Sequence, residues 1–149
     1  MTLPFDPEAV SSGDVGEKRA RLELDHEEAI EHVRETFERH GFGVPVEFSP
    51  AELLNEKVDA DRDPYYVLGA CNPAMADRAL DATDGRLGAL FPCNVVIREE
   101  EPGVQTVYHV SIMRIARLLG LDADREAIDE IISETGEMVD AAYGDLDSV

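Results

Sequence analysis

Residues 67–80, VLGACNPAMADRAL, read as a strand that turns into a helix at a single residue. Tyr65, Tyr66 and the apolar residues through Ala70 form a run of aromatic and branched side chains suited to a pleated surface. Asn72 is a preferred N-cap, because its side-chain oxygen accepts a first-turn N–H, and Pro73 suits the first helical position, whose N–H has no intrahelical partner. The strand therefore passes into a helix at Asn72, and Cys71 falls at that helix's N-terminus. A partner stretch follows at residues 91–99, FPCNVVIRE, in which residues 94–99 read as another strand. The chain's only two cysteines, Cys71 and Cys93, each stand directly before an asparagine. If the two strands are antiparallel, the thiols meet at one end of the sheet; if parallel, about 20 Å separates them.

Working outward, KRARLEL (18–24) alternates, with Ala20, Leu22 and Leu24 on one face, and so predicts a half-buried strand. Asp25 with Glu28 resembles a capping box; Ile30, Val33 and Phe37 keep helical spacing, and Gly41 is the expected terminator. FGVPVEF (42–48) predicts a strand that buries Phe42, Val44, Val46 and Phe48, with Pro45 marking a sheet edge. Ser49, Pro50 and Glu52 start a short helix through about Lys57, and residues 59–64 form a polar turn. On the other side, residues 84–92 read as loop, EEPG (100–103) as a tight turn and VQTVYHV (104–110) as the second arm of a hairpin. A short helix from Ile112 to Leu119 ends at Gly120, and a stripe of Ile128, Ile131, Ile132, Thr135, Met138, Val139 and Ala142 marks a last helix. The expected fold is α+β: about five strands in an antiparallel or mixed sheet, with helices packed mainly on one face. Residues 1–17 read as a flexible acidic arm, 18–120 as the α+β domain, and 121–149 as an acidic C-terminal helix packed on that domain or on a dimer partner.

The formal net charge of −20 arises from 33 acidic residues against 13 basic ones, while 44% of residues are hydrophobic, as in a folded chain. Lys18 and Lys57 are the only lysines. Nucleic acid and anionic membrane surfaces, which call for clustered cations, are therefore not expected partners. Abundant carboxylates with little lysine resemble the surface chemistry of salt-loving archaea, where high salt screens the self-repulsion of so many like charges. The N-terminus lacks the basic start and apolar run of a signal peptide, no stretch approaches a membrane span, and two cysteines make no disulfide framework; a cytoplasmic protein with reduced thiols is expected.

The paired motifs, PYYVLGACNPAMADRAL followed by LGALFPCNVVIRE, resemble an uncharacterised family, domain of unknown function 302, over about residues 18–120. Phe91 stands where the family usually carries an aliphatic residue. The resemblance implies a compact α+β fold with a TATA-binding-protein-like or helix-grip-like layout, often self-associating. It implies no activity and assigns no catalytic residue or cofactor.

Two readings of the Cys-Asn pairs follow. In one, Asn72 caps its helix, Asn94 bonds a neighbouring loop, and both cysteines are small buried hydrophobes. In the other, Cys71, Asn72, Cys93, Asn94 and His109 form a ligand-binding site at one end of the sheet, with the Cys71 thiolate favoured by the helix N-terminus. His26, His32 and His40 on the first helix are explained by exposure or by helix-end stabilisation. A metal would require Cys71, Cys93 and His109 to converge. No metal or catalytic motif stands out, and three functions remain in view: a module binding a small molecule, a metal or a sulfur species; a homodimeric interaction protein; and a thiol-dependent enzyme with Cys71 as nucleophile.

Overall fold

The computed structural model describes residues 2–147; Met1 of the arm and Ser148 and Val149 of the C-terminal segment lie outside the described residues. Strands β1 (Lys18–Leu22), β2 (Gly43–Phe48), β3 (Tyr65–Cys71), β4 (Cys93–Glu101) and β5 (Val104–His109) form one sheet in the order β1-β5-β4-β3-β2. Every neighbouring pair is antiparallel. Five α-helices accompany it: α1 (His26–Arg39), α2 (Pro50–Val58), α3 (Pro73–Ala82), α4 (Ile112–Leu118) and α5 (Arg125–Leu146). The fold is α+β.

Register fixes which side chains share a face, because strand side chains alternate. Leu68 lies opposite Val95, and Ile97 opposite Val107, which in turn faces Ala20. This face is buried beneath α1, through Ala29, Val33 and Phe37, and beneath the C-terminal half of α5, through Val139, Ala142 and Leu146. A second cluster joins Ala79 and Ala82 of α3, Leu87, Ile112, Met113 and Ala116 of α4, and Ile128 and Ile131 of α5. The stripe of α5 is thus satisfied within its own chain: one half belongs to each cluster. Cys93 packs against both and marks the seam between them.

The opposite face of the sheet is open, and β2 contributes to it in a way its alternation does not foretell. Gly43 lies opposite Cys71 and Val46 opposite Gly69, so β2 carries one more residue than β3 between these pairs. Such a bulge moves every later side chain to the other face. Phe42 is buried, but Val46 and Phe48, expected in the core, are 56% and 52% exposed on the open face. The edge position read from Pro45 is observed.

Two local expectations, the Asp25 cap and the loop over 84–92, are also corrected. Asp25 stands at the N-cap of α1 without a side-chain cap bond. Residues 84–92, read as loop, contain a 3-10 helix over Arg86–Leu90 whose Leu87 is buried. The arm holds a 3-10 turn at Pro7–Ala9, capped by Asp6, and its end is tied down where Ser111 N–H donates to the Val15 carbonyl at 2.8 Å. No helix among the described residues is long and apolar enough to cross a membrane.

Candidate functional site

The antiparallel pairing of β3 and β4 sets Ala70 opposite Cys93 and so brings the two Cys-Asn motifs to one end of the sheet. There the chain turns sharply into α3. Asn72 Oδ1 accepts the Met75 N–H at 3.0 Å, and its Nδ2 donates to the Gly41 carbonyl at 2.8 Å. Gly41 ends α1 with φ +92°, a conformation that only glycine adopts without strain. One amide side chain therefore caps α3 and fastens it to the end of α1.

This dual role sharpens the expected behaviour of substitutions. Asn72→Ala should cost roughly 0.5–2 kcal/mol for the cap alone. Asn72→Asp keeps the cap acceptor but sets a carboxylate against the Gly41 carbonyl, where a donor had been, so it too should destabilise. Urea unfolding of both variants tests this, and an aspartate variant as stable as the parent would leave the Gly41 bond without energetic weight.

An apolar cavity of about 320 Å³ opens at this end. Cys71, Asn72 and Cys93 line it from the sheet and the cap, and Met75, Ala76 and Ala79 line it from α3. Leu87, Met113 and Ile131 supply the far wall, with Phe91 and Pro92 at the strand entry. The space exists because the two core clusters do not fill their seam: small side chains at Ala70, Cys71, Ala76, Ala79 and Cys93 stand where larger ones would close it. The far wall escaped the sequence reading because it comes from distant segments, but the run of small residues around Cys71 was a usable signal.

The two thiols are unpaired and half-buried. Burial, and secondarily the neighbouring Cys71 thiol, push the Cys93 thiol up to about 11. His109 is 4% exposed on the buried face, opposite Val95 of β4 and Lys18 of β1. Its Nδ1 lies 2.9 Å from the Asn94 carbonyl, so Nδ1 carries the proton and donates. Burial holds the imidazole below the ordinary histidine range, against the opposing effect of that bond and with a smaller contribution from Lys18. His109 lines a second cavity, of about 210 Å³, which also has Cys93 in its wall.

The expected site residues are thus divided. Cys71, Asn72 and Cys93 line the apolar cavity, and Cys93 and His109 line the second one. Asn94 points its exposed side chain to the open face, and only its main-chain carbonyl reaches His109. Among the described residues no three His, Cys, Asp or Glu side chains form a group able to hold a metal ion, so Cys71, Cys93 and His109 do not converge as such a site requires. The other histidines make specific ties. His26 meets Gln105 at 2.8 Å, His32 the Leu146 carbonyl at 2.8 Å and His40 Asp145 at 2.6 Å, fastening α1 to β5 and α5.

Comparison with known proteins adds a family but no activity. The family model described as domain of unknown function DUF302 matches residues 18–146, past residue 120 where the resemblance was expected to end, and so takes in α5. The crystal structure of an uncharacterised conserved DUF302 protein from Bacillus stearothermophilus is similar, with a TM-score of 0.72 and 26% identity over 86% of this chain and 95% of that one. No significant match was found among curated proteins.

Proposed function

This chain belongs to the DUF302 family, and we propose that it is a module that binds a small apolar molecule in the cavity at the Cys71/Cys93 end of its sheet. The observation that carries this reading is the cavity itself. Its volume, about 320 Å³, falls within the range of ligand pockets, and its walls are almost wholly apolar with few polar groups beside the thiols and Asn72. A space of that size in a close-packed protein costs dispersion contacts that an apolar occupant would restore.

A neutral fluorescent probe, N-phenyl-1-naphthylamine, should bind saturably at one site per chain. Ala76→Leu fills the cavity from α3 and should weaken binding by about tenfold, the equivalent of ~1.4 kcal/mol. Absence of saturable binding, or equal affinity in the variant, sinks the proposal. A thiol enzyme with Cys71 as nucleophile receives less support, since His109 bonds the Asn94 carbonyl and lines the second cavity, whereas Cys71 lines only the first. The unpaired thiols accord with a reducing, cytoplasmic setting.

A second reading, compatible with the first, is a homodimer formed through the open sheet face. Val46 and Phe48 stand exposed there beside Val67 and Val96, the kind of apolar patch that marks an interaction surface. The same face carries Arg19, Arg21 and Arg98, the first two ion-paired to Glu17, Glu23 and Glu101, so its charge is closer to balance than the net −20 of the chain and two copies can meet here without opposing their acidic helices. The buried stripe of α5 leaves that helix satisfied without a partner. In the salt-rich setting that the composition points to, screening strengthens this association. Analytical ultracentrifugation should show a dimer more populated in 2 M than in 0.1 M KCl and lost in Phe48→Glu. A monomer at tens of micromolar in 2 M KCl removes this reading.

A further inference from the structure

The second cavity shares Phe42, Cys93, Met113 and Thr135 with the first, so the wall between them is one layer of side chains. Cys93 is the smallest of the four and sits at the seam of the two core clusters. The chambers differ in chemistry. Lys18, Arg114, Glu17 and Asp140 bring both signs of charge to the second in equal number, with Lys18 ion-paired to Asp140. Its one deeply buried titratable ring is His109.

The bonding of that ring decides what it can receive. Nδ1 donates to the Asn94 carbonyl, which can only accept, so Nε2 of the neutral imidazole is left with a lone pair. Every buried side-chain nitrogen and oxygen among the described residues has a partner wherever it is sealed from solvent. Nε2 makes none of the ring's hydrogen bonds and is therefore not sealed; it gives onto the cavity that the ring lines. A carboxylate placed there would set lone pair against lone pair, and the balanced charges of the chamber give an anion no net attraction. A hydroxyl satisfies the site, because it donates.

We propose that the two cavities form one amphipathic site for an apolar alcohol or phenol. The hydrocarbon body occupies the first cavity, and the hydroxyl passes beside Cys93 to donate to Nε2 of His109 in the second. This rests on the first cavity being a binding site and adds the class of ligand.

The test uses 4-hexylphenol and 4-hexyltoluene, which are alike in size and differ in the donor, each displacing N-phenyl-1-naphthylamine from the full chain. The preference for the phenol over the hydrocarbon should fall about five- to tenfold in His109→Phe, as expected for one lost hydrogen bond. In the parent protein, the phenol and not the hydrocarbon should shift the His109 Nε2 resonance in nitrogen-15 spectra, a readout that does not depend on how the variant folds. Displacement by both compounds with Nε2 unmoved overturns this proposal and leaves the apolar site standing. Failure of both compounds to displace the probe overturns this proposal and the apolar site together.

Discussion

Gly69→Ala should destabilise the protein by about 1–3 kcal/mol, and Gly69→Val by more, because the space above this glycine is already taken. A Cβ built there would stand 2.5 Å from Val46 Cγ2, 2.7 Å from Pro92 Cγ and 3.0 Å from the Val46 carbonyl oxygen. Exposed Val46 can rotate its side chain away, but its carbonyl belongs to the β2–β3 ladder and moves only with the strand. Overpacking therefore pushes on the edge strand directly opposite. Urea midpoints give the size of the effect, and hydrogen exchange locates it: the amides of β2 should lose protection before those of β4 and β5. An alanine variant within about 0.5 kcal/mol of the parent, the usual spread for harmless substitutions, would show that the close approach is not tight. Since Pro92 also lines the apolar cavity, a displaced Pro92 should weaken probe binding in the same variant.

Alkylation should separate Cys93 from an ordinary thiol by a still larger factor. With its thiol pushed up to about 11, Cys93 presents at pH 8 a thiolate fraction on the order of a hundredfold below that of an unperturbed cysteine, and the thiolate is the nucleophile. Iodoacetamide should therefore modify Cys93 quickly in urea and at least a hundredfold more slowly in the native protein, a difference that peptide mass spectrometry reads residue by residue. The same shift has a signature in stability. The thiol form is favoured only in the folded chain, so this contribution is fully present below the unfolded value of 9.0 and is lost as pH rises through about 11. Rapid native labelling of Cys93 would mean that the seam between the core clusters opens readily, and an occupant of the apolar cavity should then suppress that labelling.

Much of the architecture was legible because it rests on interactions between residues close in the chain. Asn72 caps α3 and Ser49 caps α2 where the residues predicted, since a capping side chain needs only an N–H three positions on. The alternation of KRARLEL, the 103-centred turn and the stripe of α5 each report a local period, and each produced the expected element. The same kind of reasoning failed at Asp25, where cap chemistry is present but the bond is not made, and at Val46 and Phe48, whose clean alternation places them in the core. There the pairing of β2 with β3 inserts one residue, and no pattern within β2 announces it.

The site shows the same division more sharply. Sequence alone placed Cys71 at a strand-to-helix junction and Cys93 at the start of the next strand, and made their meeting depend on strand direction. Only the tertiary structure chose the antiparallel pairing, turned Asn94 outward, set His109 inward and left unfilled space at the seam of two clusters. Caps, turns and periodicities depend on groups a few residues apart, whose geometry the chain itself constrains. A cavity and a shared face depend on how segments far apart in sequence fit together, and that is settled by packing and register once all of them are in place.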